Sequence, residues 1–527
     1  MTDIENYDFS PPMADDMRQK KVDLRLTRKI IDKFNAGMYD HIEPVTVSDI
    51  PIIDGHHIID LTGDLSFIFN LKAVRGSIDR LGLDIDLVEI SDVQGENIIF
   101  NSASLTRLGV LLYPVLSYGI LNGGSASSYF DRKKNQAFNE TLFDLCQTEF
   151  SILDNLAKDK AKGLAPAFIN EDLTPGPSFI ELKMRSILIE ILRYQKLTGN
   201  SADSLNPLFQ MTSVNNNTQI ASTYEEYRQS IYLKDLIAIC GVDITQTLTG
   251  IQPMLAAFTH SKLGKPKTVF SRAYGIEGNI LPMPGGHGQN FEILKDVYSS
   301  LVQAGKKFIY LGNVDNLGYT VNPIALALLA LQNRSAGFEF SFRTVVDIKG
   351  GILIKDQYHR LNCADIGPAI SSDQVLTAEN SGKKILFNCA TGLFDLEYLV
   401  THLDYIINNL PVRFSDQDKD AGQYSQAEQV TWEIIGMLED CIIYAVDKYD
   451  RFLAAKLVLE NLMASGVALS NPAYPTSQDP KNDLKLIASN LNQGLNTKLQ
   501  TVYGMKKIGG RWEPKSIKEL EQELVNT

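Results

Sequence analysis

The chain has 527 residues, which at roughly 100–200 residues per domain implies two to four domains and ample surface to bury. Hydrophobic residues make up 44% and charged residues 21%, an ordinary globular balance that needs neither disulfides nor metals to fold. The formal net charge of -13 argues against a reader of nucleic-acid backbones, though not against a nucleotide enzyme, whose site needs only a few local cations.

Residues 1–15 are polar and acidic, with Pro11 and Pro12 together, and read as disordered. No apolar h-region follows, so no signal peptide is expected. From Met17 to about Met38 the apolar spacing is helical. Residues 40–105 mix short alternating runs with turn signals and read as an N-terminal α+β cap. The run VLLYPVLSYGILNGG (110–124) is apolar, β-branched and aromatic, and ends in Gly-Gly. That is the pattern of a buried strand followed by a turn with close backbone approach. A Pro/Gly segment, LTPGPS, then introduces FIELKMRSILIEILRYQKL, an amphipathic helix expected to form an insertion or lid within residues 165–200. Residues 290–305 read as a helix ending at Gly305, placed as a C′ glycine, and residues 322–337 as a strongly apolar core helix.

Strands are expected at 306–313, 337–347, 350–356 and 383–390. Their alternation with helices implies βαβ units and a mixed, mainly parallel sheet. After about residue 405 helical patterns dominate, in particular AEQVTWEIIGMLEDCIIYAV (427–446) and DRFLAAKLVLENLMAS (450–465), and the tail reads as helical too. The organisation expected is therefore a cap (1–105), an α/β core (106–405) and a mainly helical C-terminal region (406–527). Cys146, Cys240, Cys363, Cys389 and Cys441 are odd in number and form no C-x-x-C pair, so neither a disulfide framework nor a zinc site is expected. No run of eighteen apolar residues exists. A soluble cytoplasmic protein with neither membrane nor nucleic acid as partner is the expectation; the pattern sets no oligomeric state.

Four short segments stand out chemically. The Asn122-Gly123-Gly124 turn lets backbone N–H groups approach a base or phosphate; Ser125, Ser127 and Ser128 are donors, and Arg132, Lys133 and Lys134 are nearby cations. Taken alone, the same residues fit a tight strand-to-helix turn with a basic start. The segment Pro284-Gly285-Gly286-His287-Gly288-Gln289 puts one histidine among three glycines, which suits a base or ribose packed on the backbone, or a mobile surface loop. No serine or cysteine stands beside His287 to form a nucleophile–base pair. Asn313-Val314-Asp315-Asn316-Leu317-Gly318 follows a strand, where ligands bind in open parallel sheets; Asp315 there suits Mg²⁺ or a sugar hydroxyl, or simply an Asx turn. Asp347-Ile348-Lys349-Gly350-Gly351 reads on its own as a hairpin turn.

In order, LNGGSAS, MPGGHGQ, NVDNLGY, VDIKGGIL and FNCAT (387–391) resemble the UDP-sugar pyrophosphorylase family, especially its eukaryotic-type UTP–glucose-1-phosphate uridylyltransferases. Those carry L-N-G-G-L-G-T, P-P-G-H-G-D, N-x-D-N-L-G-A, A-D-V-K-G-G-T-L and F-N-T-N-N. The segments PLFQMTSVNNNT (207–218), Phe258–Lys262, and RFLAAK (451–456) are also similar to linking segments of the family, and Lys419 and Gln429 resemble its N-x-K and I-Q-L-E positions.

The resemblance implies a Rossmann-like nucleotidyltransferase core and Mg²⁺-dependent formation of UDP-glucose, or a related UDP-sugar, and pyrophosphate from UTP and a sugar 1-phosphate. It implies nucleotide contacts at Asn122, Gly123, Gly124, Gly286 and His260, and sugar-phosphate contacts at His287, Asn313, Lys349 and Asn388. Asp315 would stand at the metal and Lys419 at the phosphates. The first loop departs from the family's L-G-T-x-x-G-x-x-G-P-K: here it reads SASSYFDRKKN, with Arg132 or Lys134 as substitutes for the missing lysine. The alternative expectation is thus a UDP-sugar-binding relative with weak or no turnover. The family's C-terminal left-handed β-helix is expected to be absent or replaced.

Overall fold

A computed structural model describes residues 7–40, 45–126, 129–201, 207–344, 347, 350–479 and 483–525. Its centre is a ten-stranded sheet. In chain order the strands are β1 (Ile58–Asp60), β2 (Leu116–Leu121), β3 (Leu208–Ser213), β4 (Leu248–Gln252), β5 (Phe308–Asn313), β6 (Ala336–Phe342), β7 (Gly351–Lys355), β8 (Leu361–Asp365), β9 (Leu386–Asp395) and β10 (Cys441–Val446). The spatial order is β1-β10-β6-β9-β5-β2-β3-β4, with β7 bridging β8 and β9. Neighbours along this order pair in parallel except at β9, which runs antiparallel to both β5 and β6. The sheet is mixed and mainly parallel, as the βαβ alternation predicts.

Strands in the middle of this sheet are covered on both faces, so they read as continuous apolar runs. Every residue of β2, β3 and β10 is buried. The apolar helix Pro323–Gln332 is buried from Ala325 to Leu331, as its composition requires. The helix Lys295–Gln303 ends as expected: Gly305 has φ 82° and donates to the Val302 carbonyl.

Three expectations are corrected. First, residues 427–446 are not a helix. A 3₁₀ turn (Thr431–Met437) leads into β10, which lies between β1 and β6 inside the sheet. The run CIIYAV is apolar throughout, and periodicity cannot separate a buried strand from a buried helix. The C-terminal third also contains the hairpins Arg413–Lys419/Gly422–Glu428 and Met505–Ile508/Arg511–Pro514, so it is mixed rather than mainly helical. Second, the helix Phe179–Thr198 is no lid. It is buried along nearly its whole length, including Glu181, Lys183 and Arg185. Those charges face interior partners: Arg185 donates to the carbonyls of Tyr503 and Gly504, and Lys183 to those of Asn316 and Tyr319. Polarity that read as a solvated face is a set of internal ties. Third, residues 11–19 are helical rather than disordered, with a proline at the first turn and with Ala14 and Met17 fully buried.

The segment expected as a cap, residues 40–105, contributes β1 to the main sheet and forms a three-stranded antiparallel sheet of its own (Ser66–Asn70, Asp92–Gln94 and Asn97–Asn101). The tail is a helix (Leu484–Thr501), a hairpin and a second helix (Ile517–Val525). Among the described residues no helix is long and apolar enough to cross a membrane.

Candidate functional site

Strands β2 and β5 are parallel neighbours, and Leu121 pairs with Asn313 at their carboxyl ends. The turns that follow, Asn122–Gly124 and Asn313–Gly318, therefore emerge side by side at the sheet edge where α/β folds place their ligands. A cleft of about 560 Å³ opens there. It is lined by His287, Asn313, Asp315, Gly350, Gly351 and Asn388, with Trp432, Glu433, Arg413 and Lys456 among the other wall residues. Residues from four separated motifs thus meet in one cavity.

The Gly-rich loop holding His287 is zipped to the backbone of Gln429. Gly288 donates to the Gln429 carbonyl at 2.9 Å, and Gln429 donates back to Gly285 at 3.0 Å. The approach leaves no room for side chains: a Cβ on Gly286 would lie 2.4 Å from the Gln429 oxygen, and φ there is +82°. Gln252 clamps the loop from β4, donating to the Gly286 carbonyl and to Gln289, both at 2.8 Å. His287 Nδ1 accepts the Thr431 N–H at 3.1 Å, which places the ring proton on Nε2. Burial lowers this imidazole to about 4, against the opposing pull of Asp315. At neutral pH it is therefore an uncharged ring with one N–H to offer a ligand.

Asn122 is fully buried and donates to Gln210 at 3.2 Å, while its own Oδ1 has no partner. Its side chain shapes the turn from inside. What the turn can offer a ligand is the backbone of Gly123 and Gly124. Asn388 lines the cleft, with its amide 3.4 Å from Cys363 and its oxygen accepting from Ala390 N–H at 2.8 Å. Glu433, also at the cleft, is raised by burial, with Arg413 opposing. Asp347 of the VDIKGG segment is buried in an ion pair with Lys448 and has a structural role.

The cations stand elsewhere than the linear sequence implied. Arg132 lies on an exposed helix with its guanidinium 5.1 Å over the Phe143 ring, and Lys134 is exposed on the same helix. Neither lines the cleft. The cation that reaches Asp315 is Lys162, which forms an ion pair with it and donates to the Ala455 carbonyl at 2.7 Å. The chain makes a helical excursion over residues 132–157 and then returns beside the Gly-Gly turn: Lys162 N–H donates to the Gly124 carbonyl at 3.1 Å, and Ser125 bridges Ala161. Gly163 is required there, since a Cβ would sit 2.2 Å from Asn122 Oδ1.

Lys419 stands at the exposed tip of a hairpin, and His260 caps a short turn, accepting from Lys262 N–H at 3.1 Å; neither is among the cleft-lining residues. Ser127, Ser128 and Lys349 lie outside the described residues. Lys162, Trp432, Glu433 and Lys456 are the cleft or cleft-edge residues that reading along the sequence missed. The signals were present in RFLAAK, which ends in Lys456, and in Lys162-Gly163, but the latter is too short to read by itself.

Residues 269–484 match the family model for UTP–glucose-1-phosphate uridylyltransferase. Over 211 residues the chain is 24% identical to the UTP–glucose-1-phosphate uridylyltransferase of Hordeum vulgare, covering 38% of this chain and 44% of that one. Over 73 residues it is 36% identical to a probable UTP–glucose-1-phosphate uridylyltransferase of Schizosaccharomyces pombe, 14% of each chain. The chain thus matches less than half the length of these curated relatives. In fold it is similar to the UDP-N-acetylglucosamine pyrophosphorylase of Trypanosoma brucei, with TM-score 0.56, 14% identity, and 93% and 91% of the two chains covered. It is also similar to a UDP-glucose phosphorylase of the same organism, with TM-score 0.50, 14% identity, and 90% and 80% covered. The likeness to UDP-sugar pyrophosphorylases that the ordered motifs carry is matched by both the family model and the fold.

Proposed function

We propose that this protein is a uridylyltransferase that joins UTP and a sugar 1-phosphate, glucose 1-phosphate being the first candidate, into a UDP-sugar with release of pyrophosphate. The observation that carries this reading is convergence. His287, Asn313, Asp315, Gly350–Gly351 and Asn388, scattered along the chain, line one cleft, and the strand that leads into the Gly123–Gly124 turn pairs with the one that ends at Asn313. In the reaction an oxygen of the sugar phosphate bonds to the α-phosphorus of UTP while the bond to the β-phosphate breaks and pyrophosphate departs. No proton need be taken from carbon, and no covalent intermediate is required. The protein's work is to place two polyanions in line and neutralise them.

The residues fit these tasks. Gly124, where a Cβ would meet nothing, leaves room for a flat base and ribose, and Gly286 fixes the His287 loop against Gln429. His287 Nε2–H and Asn388 are neutral donors for the sugar phosphate. Lys456 and Arg413 are cations of the cleft wall, and Lys162 reaches the cleft through Asp315. Asp315 is the carboxylate that would hold Mg²⁺. One carboxylate completed by phosphate oxygens and water is a donor set this ion favours, and among the described residues no cluster of three acidic, histidine or cysteine side chains forms an all-protein cage. When bound, the ion would supply charge neutralisation at the phosphates.

The second reading, a nucleotide-sugar binder with little turnover, rests on the altered first loop. The return of Lys162 to the Gly-Gly turn favours turnover, because the lysine lost from the loop is regained in space. Pyrophosphate release from UTP, Mg²⁺ and a panel of sugar 1-phosphates separates the two. Release with at least one sugar is expected; UDP-glucose binding with no release from any of them would establish the second reading instead.

A further inference from the structure

Lys162 and Asp315 are both shielded, with side chains 14% and 17% exposed, and they are bound to each other. The ammonium group sits in a nest built from three segments: the Asp315 carboxylate, the Ala455 carbonyl and the face of the Tyr129 ring, 5.0 Å away. Its backbone is pinned independently, through Lys162 N–H on Gly124 and Ala161 N–H on Gln219 at 2.8 Å. The main chain is therefore held independently of the contacts that the ammonium group makes.

We infer that Lys162 is a resident counter-ion that occupies Asp315 in place of a divalent cation and competes with it. This inference rests on the proposed role of Asp315. A dication and an ammonium group cannot share one partly buried carboxylate without strong mutual repulsion. Lys162, once displaced from Asp315, would be free to pair with the phosphates, and without nucleotide Asp315 would hold metal weakly because Lys162 already fills its place. The ion pair thereby couples metal binding to nucleotide binding.

The test is Mn²⁺ binding to the full chain without nucleotide, followed by electron paramagnetic resonance of the free ion. Lys162→Met is expected to bind Mn²⁺ at least about tenfold tighter than wild type. Lys162→Arg, which keeps the charge, should stay near wild type, and Asp315→Asn should abolish the gain when combined with Lys162→Met. Lys162→Gln serves in place of the methionine variant if circular dichroism shows that one to be unfolded. Equal Mn²⁺ affinity in wild type and a folded neutral variant overturns the inference, as does a gain that survives Asp315→Asn. Pyrophosphate release by the wild type is measured separately, so failure of the proposed reaction is told apart from failure of the competition.

Discussion

Arg451 ties the segment RFLAAK to the sheet, and its removal tests the packing logic of the site. The guanidinium forks onto Glu339 of β6, with Nε and Nη2 at 2.9 and 2.7 Å, and also donates to the Thr320 hydroxyl at 2.9 Å and the Thr320 carbonyl at 2.8 Å. Burial would lower this guanidinium, but the charge and hydrogen bonds of Glu339 outweigh it and raise its pKa. Arg451→Met removes the cation and leaves a carboxylate only 2% exposed without its hydrogen-bonded ion-pair partner. Breaking one partner of a buried pair costs about 3–5 kcal/mol, because the stranded charge stays desolvated. Replacing Glu339 by Gln in the same chain removes that charge and is expected to restore about half of the loss or more. Urea unfolding of wild type, Arg451→Met and the double variant, compared by midpoint at pH 7, is the assay. A single variant that loses less than about 1 kcal/mol, or a double variant no better than the single, would refute the reasoning. The effect should also reach the site, since the Arg451 carbonyl accepts from Asn316 at 3.1 Å, next to Asp315.

Three further outcomes follow from the cleft. Lys456→Ala should cut pyrophosphate release on the order of 10²-fold, whereas Lys419→Ala at the hairpin tip should change it by less than about threefold; the reverse ranking would return the phosphate role to Lys419. Gly286→Ala forces a Cβ against Gln429 at a positive φ, a strain on the order of 1–3 kcal/mol, and isothermal titration should find UDP-glucose binding weakened about tenfold or more. The His287 imidazole is lowered from 6.5 to about 4, so between those pH values the unfolded chain takes up a proton that the folded chain refuses. Stability should therefore fall as pH drops from about 6.5 to about 4 and gain no further loss from this group below that, and His287→Gln should flatten that part of the urea midpoint against pH.

Much of the site was legible from linear order alone. Glycines beside Asn122 and His287, and Asp315 after a strand, mark places where backbone must approach something closely or where a parallel strand ends, and such constraints are local. The alternation of strands and helices likewise specifies a mixed, mainly parallel sheet, because its two periods are properties of short segments. What only the tertiary structure decided depends on neighbours. CIIYAV is apolar on every side, so burial by β1 and β6, rather than its own pattern, makes it a strand. Glu181, Lys183 and Arg185 look like a wetted face until the carbonyls that accept from Lys183 and Arg185 are seen to be inside. The cation opposite Asp315 is the least legible in linear order: Arg132 and Lys134 are nearer to the Gly-Gly turn along the chain, yet a helical excursion carries them to the surface and brings Lys162 back. Charge neutralisation acts through space over a few ångströms, and distance along the chain is no guide to it once the chain folds back on itself.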